Sequence, residues 1–180
     1  MITVSKKAFT LVEILVVISI IAILAGMTLG VGGSMMDKAK RSRSEGEIAA
    51  MEAALERYKI DNGGYPVAEV SPNIENDGDP AEDSYVSGAR ALFQALCGRK
   101  SYKEAAEGQV YYEAKVTQVD KASRTSTEED SFLVDAWGNA YGYHVNDAES
   151  GMNPGFFDLW STSGKKAIED KKKWVGNWKN

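Results

Sequence analysis

Glu13 is the residue whose placement asks most of its surroundings, a carboxylate at the mouth of an uncharged run from Ile14 to Met36 in which Ser19, Thr28 and Ser34 are the only hydroxyls. A charge at that lip has lost part of its hydration and has no cation close by in sequence, so its chemistry is that of an ion that needs a partner. Catalysis has less to work with. His144 is the only histidine and Cys97 the only cysteine, which removes metal sites needing two imidazoles and any intramolecular disulfide. No G-x-S-x-G elbow, G-x-G-x-x-G turn, H-E-x-x-H helix or P-loop spacing occurs. His144 lies on an alternating stretch and reads as a structural or surface residue, and Cys97 as a small buried hydrophobe. The chain is expected not to be an enzyme.

The element that positions Glu13 is the apolar run itself. Its 23 residues make a helix roughly 35 Å long, enough for a hydrocarbon core of about 30 Å with some tilt. Lys6 and Lys7 precede it and Lys38, Lys40, Arg41 and Arg43 follow it, so flanking charge alone does not orient it. A secretory signal peptide is the competing reading. The run exceeds a usual apolar region of about 7–15 residues, and cleavage after Ala25 would put Ile23 where a small residue is wanted. Leu24-Ala25-Gly26 is followed by Met27 and not by the cysteine of a lipoprotein.

Lys7-Ala8-Phe9-Thr10-Leu11-Val12-Glu13 resembles the cleavage motif of type IV prepilins, and Phe9 to Leu15 agrees with that family at every position. The residue before the cut, usually Gly, is Ala8 here. The resemblance implies removal of residues 1–8 by a prepilin peptidase on the cytoplasmic side and methylation of the new N-terminus at Phe9. It also implies that Glu13 of an incoming subunit neutralises the freed ammonium, and that the chain after about Met36 lies outside the inner membrane. Ala22, Gly26, Gly30 and Ser34 recur every fourth position and share one helix face, a candidate seam for neighbouring helices. Gly30, Gly32 and Gly33 lower helix propensity, and similar pilin helices unwind partway along, so melting is expected between Gly26 and Gly33.

Helical periodicity continues through Ile48, Met51, Leu55 and Tyr58, with Glu45, Glu47, Glu52, Glu56, Arg57 and Lys59 on other faces. It stops at Asp61-Asn62-Gly63-Gly64 before Pro66, which predicts one helix of about fifty residues. A second amphipathic helix is expected from Ser87 to Gly98, with Ala89, Leu92, Phe93 and Leu96 on its buried face. Val110, Tyr112, Ala114 and Val116 alternate with polar neighbours as in a strand. Ser131–Ala136, Ala140–Val145 and Phe156–Ser161 are further strand candidates, with Trp137-Gly138-Asn139 as a turn. The predicted fold class is α+β, pilin-like: a long N-terminal helix packed on an antiparallel sheet of three or four strands.

Tyr58 to Pro66 is similar to the helix end of the major pseudopilin, the G-type subunit of type II secretion. Asp135-Ala136-Trp137-Gly138-Asn139-Ala140-Tyr141 is similar to its D-x-W-G-N-x-Y segment, and Phe157 to Ser161 with Gly176-Asn177-Trp178 to its ending. That family holds its C-terminal loop with calcium. Here the loop carries Lys165, Lys166, Lys171, Lys172 and Lys173 with only Glu169 and Asp170 acidic, so the calcium site is not carried over and no cofactor is expected. Asn73, Glu75, Asp77 and Gly78 have calcium-loop spacing, but Ser84 stands where a bidentate Glu is needed. Trp174 and Trp178 are the alternative anchors for the tail.

The 180 residues allow one domain with an appendage. They divide into a leader at 1–8, a membrane or fibre-core helix at 9–36, its outer half at 37–62, a variable loop with a short helix at 63–109, and the sheet with the C-terminal loop at 110–180. A net charge of −5, or −7 once Lys6 and Lys7 are removed, argues against nucleic acid. The partners implied by the resemblance are other copies of the chain, the prepilin peptidase, the inner-membrane assembly platform, minor pseudopilins and the membrane. The absence of a C-terminal cysteine pair and the D-x-W-G-N segment favour a pseudopilus over a type IV pilus. A monomeric single-pass protein with an envelope-side binding domain stays open on the residues alone.

Overall fold

A computed structural model of the chain describes residues 9–29, 32–125, 130–147 and 149–178. It falls into two units, Met1–Ala39 and Lys40–Asn180. In the first unit the helix α1 spans Leu11–Leu29, and its apolar side chains from Leu11 to Leu24 are all exposed, between 48% and 80%. The helix α2 spans Gly32–Asn62. The described part of the segment expected to melt, residues 26–29 and 32–33, is helical instead, and Gly30 and Val31 lie outside the described residues.

Within the second unit α2 buries the face its periodicity foretold. Ile48, Met51, Ala54 and Leu55 are at most 3% exposed, and Tyr58 packs against their cluster. The stop at Asn62 follows from Gly63, whose φ of 79° only glycine adopts freely, with its amide donating to Lys59 O at 2.8 Å. The helix α3, Asp83–Cys97, starts four residues before the expected Ser87 and ends at Gly98 in the left-handed conformation. Its buried face carries Ala89, Leu92, Phe93 and Leu96.

The sheet has three antiparallel strands in the order β1 (Gly142–Val145), β2 (Phe157–Ser161) and β3 (Val175–Gly176). Tyr143 faces Leu159 and Val145 faces Phe157 across the first ladder. Tyr141, Tyr143, Phe157, Leu159 and Val175 join α2 and α3 in the main core, which fulfils the α+β expectation of a helix packed on a small antiparallel sheet.

Two strand expectations fail. Val110 to Thr117 pairs with no strand among the described residues: Tyr111 and Tyr112 both donate their amides to Leu96 O at the end of α3, at 2.8 and 2.9 Å, and Val116–Gln118 is a turn of 3-10 helix. The alternation came from tyrosines that lie half-buried on the core, not from a ladder. Ser131 to Ala136 forms only isolated bridges, Val119 with Leu133 and Val134 with Ala140. Its chain is spent instead on the turn around Asp135.

Candidate functional site

At the head of α1 the carboxylate of Glu13 is already in use. Its Oε2 accepts from the Thr10 amide at 2.9 Å and from Thr10 Oγ1 at 2.8 Å, while the Glu13 amide donates back to Thr10 Oγ1 at 3.2 Å. This is a capping box: Thr10 stands just before the helix, Glu13 three residues on, and two amides that the helix leaves unpaired are satisfied reciprocally. The spacing Thr10-Leu11-Val12-Glu13 is a sequence signature of such a cap, and the reading of Glu13 solely as an ion in need of a partner passed over it. The box holds the acid at the end of the helix where dipoles favour an anion.

Phe9, the expected new terminus, directly precedes this cap and is 78% exposed. Ala8 and the rest of the leader lie outside the described residues. Ala22 and Gly26 sit one turn apart on α1, both exposed, and a Cβ built on Gly26 would meet nothing within 4 Å. Gly30 lies outside the described residues, and so does the side chain of Ser34. Among the described residues no helix is long and apolar enough to cross a membrane.

The second unit explains its own sequence signatures structurally. Asp135 Oδ1 accepts from the amides of Trp137 and Asn139, each at 2.9 Å, and Oδ2 accepts from Ser161 Oγ. Gly138 takes φ 86° in the same turn. Burial pushes the Asp135 carboxyl above its ordinary value, against the pull of the Ser161 and backbone bonds. Asn177 bridges at the other edge: its Oδ1 accepts from Leu159 N at 3.0 Å and its Nδ2 donates to Phe157 O at 3.0 Å. The D-x-W-G-N and G-N-W segments therefore close a turn and a sheet edge.

Glu47, expected away from the buried face, is turned inward. Arg43 Nε lies 2.7 Å from its Oε1, Tyr141 Oη donates to its Oε2 at 2.7 Å, and its side chain is 10% exposed. The arginine one turn earlier is visible in sequence; the tyrosine is not. Ser71 Oγ and His144 Nδ1 share a hydrogen bond of 2.6 Å. Asp158, opposite His144 in the ladder, is bound instead to the amides of Met152 and Asn153 and to Asn153 Nδ2. Cys97 is buried and its thiol pushed up to about 11 by desolvation. In the acidic loop Asn73 and Asp77 are occupied by backbone amides of their own turn.

Three comparisons bear on these geometries. A family model described as the prokaryotic N-terminal methylation motif matches residues 4–29. The chain is 30% identical over 181 aligned residues to the type II secretion system core protein G of Pseudomonas aeruginosa, covering 97% of this chain and 96% of that one. It is 45% identical over 65 residues to the protein of the same name from Klebsiella michiganensis, covering 36% of this chain and 46% of the relative. For Escherichia coli the figures are 41% over 61 residues, covering 34% and 42%. No solved structure matches.

Proposed function

The chain belongs to the family of the type II secretion system core protein G, and from that premise we propose that it is a structural subunit that polymerises through its N-terminal helix into a pseudopilus driving protein export. The observation that carries the assembly mode is α1. From Leu11 to Leu24 its leucine, isoleucine and valine side chains are exposed on every side, with one acid pinned at its head. Apolar surface of that extent needs lipid or other helices around it.

In this reading the prepilin peptidase cuts between Ala8 and Phe9, Phe9 is methylated, and the uncharged run from Ile14 to Met36 holds the subunit in the inner membrane. The N-terminus stays cytoplasmic and the second unit lies in the periplasm. Glu13 then exchanges its hydrogen bonds with Thr10 for the ammonium at the head of a neighbouring subunit, so that leaving lipid and joining the fibre are coupled. The face bearing Ala22, Gly26, Gly30 and Ser34 lets helices approach closely. The assembly platform and minor pseudopilins start the fibre.

Coexpression with a prepilin peptidase tests this. Intact mass is expected to show a chain starting at methylated Phe9, and electron microscopy of sheared cells to show filaments. Glu13→Gln keeps a side-chain acceptor for the cap but removes the charge, and is expected to be processed and to form no filaments. Thr10→Ala removes the cap and keeps the charge, and is expected to assemble. Filaments of normal length from Glu13→Gln, or a mature chain starting near Gly26, would refute the reading.

A further inference from the structure

The C-terminal loop must be held down, and calcium does not fit its donors. Glu169 is exposed, Asp170 is engaged by Lys173, and the hydroxyls of Thr162 and Ser163, which have no hydrogen-bond partner among the described residues, bring no negative charge to a hard cation. Among the described residues no three His, Cys, Asp or Glu side chains gather as a metal site.

The loop nevertheless returns tightly. Its 3-10 segment Ile168–Lys173 ends at Trp174, which is 1% exposed, and the carbonyls at that end face a cation supplied by the protein. Arg41 of α2 donates through Nη1 to Lys173 O at 2.8 Å and through Nη2 to Trp174 O at 3.4 Å, while its Nε lies 3.3 Å from Glu45. A guanidinium is always charged, and its planar fork suits two successive carbonyl oxygens at the negative end of a helical turn.

Aromatic packing closes the other side. Trp174 stacks on Trp160 with ring centroids 6.4 Å apart and planes 6° from parallel, and Trp178 lies against the same ring at 6.4 Å. Gly176 leaves room for Trp178: a Cβ there would come within 2.2 Å of the ring. Trp160 Nε1 donates to Tyr85 Oη, which donates to Asp77 O. The tail is thereby tied to the acidic loop, where Lys166 also approaches Asp79 at 3.9 Å.

We propose that Arg41 and the Trp160–Trp174 stack latch the C-terminal loop in place of a metal ion, so that this subunit's folded domain is independent of calcium. The experiment uses the mature full chain in detergent, with excess calcium or with chelator, read by thermal unfolding and by hydrogen exchange. Melting temperature and exchange are expected to be the same in both conditions. Arg41→Gln is expected to speed exchange of the amides from Trp174 to Asn177 about tenfold, as befits charge-assisted hydrogen bonds at a partly exposed site, with α3 amides unchanged and Arg41→Lys between the two. Because Trp174→Ala empties a buried site and can unfold the domain, Trp174→Phe is the companion variant, expected to loosen the same amides to a smaller degree. A rise of several degrees with calcium, or unaltered exchange in Arg41→Gln, would overturn the proposal. None of these readouts requires a fibre, so failure here is distinct from failure of the assembly reading.

Discussion

Between Leu11 and Leu24, α1 carries its apolar side chains around the whole circumference and buries none of them among the described residues, whereas α2 from Lys40 onward buries Ile48, Met51, Ala54 and Leu55 along one face and leaves Ile60, near its end, exposed. The first helix satisfies its backbone within itself and leaves these side chains exposed. The second is held by α3 and the sheet in a common core. The difference separates two kinds of stability in one polypeptide. Changes in the second unit are expected to act on folding, and under the proposed assembly changes in α1 are expected to act on association instead.

Truncations to alanine in the two regions give the sharpest contrast. Phe157 is 1% exposed and meets the rings of Tyr65 and Tyr143 at 4.8 and 6.1 Å. Phe157→Ala is expected to destabilise the domain by about 3–5 kcal/mol, seen as a lower midpoint in denaturant unfolding followed by tryptophan fluorescence. Ile18→Ala, at a position 58% exposed, is expected to leave that midpoint unchanged. If the two variants shifted it alike, the division between the helices would fail.

A smaller effect tests the ionic interior of the second unit. The folded carboxyl of Asp135 titrates above its ordinary 3.8, chiefly because burial disfavours the ion. Between those two values the folded state binds more protons than the unfolded one, so this group's contribution to stability falls as pH rises through the window. Above it the ionised acid is a standing burden; below 3.8 the contribution is constant. Asp135→Asn can keep the Trp137 and Asn139 bonds through its Oδ1 and cannot titrate. Wild type is therefore expected to gain melting temperature relative to Asp135→Asn as pH is lowered from neutral, and the gain to level off below 3.8. A flat difference across that range would show that Asp135 does not carry it.

The same contrast governs what could be read from the sequence. Everything about α1 is local: an uncharged run, an acid at its head, small residues every fourth position. The buried faces of α2 and α3 are legible for the same reason, since a 3.6-residue period survives translation into one helix. What failed depends on distant partners. The alternation from Val110 to Val116 could not reveal that the amides of Tyr111 and Tyr112 go to Leu96, nor could the charge of Glu47 reveal Tyr141 waiting 94 residues away. Arg41 looked like one more basic residue after an apolar run, and its two carbonyl acceptors at Lys173 and Trp174 exist only once the chain has folded. The Thr10–Glu13 cap was local and legible, but the charge of Glu13 drew the reading towards a neighbour and away from its own turn.

The smallest expected effect comes from a pair of glycines. Gly46 lies inside α2 and Gly26 inside α1, and a Cβ at either would meet nothing within 4 Å. Neither glycine is needed by a turn or by packing within the described chain, and each lowers helix stability relative to alanine. Gly46→Ala is expected to stabilise the folded domain by about 0.5–1 kcal/mol, measured as a small rise in denaturation midpoint. Gly26 belongs to the small-residue face, so its reason for being small must come from outside the subunit if helices pack there. Gly26→Leu is expected to leave the domain midpoint unmoved and to reduce filament yield after normal processing. Full-length filaments from Gly26→Leu would mean that close helix approach uses another face of α1, and a drop in the domain's midpoint would mean that the two helices do not divide their tasks between association and folding.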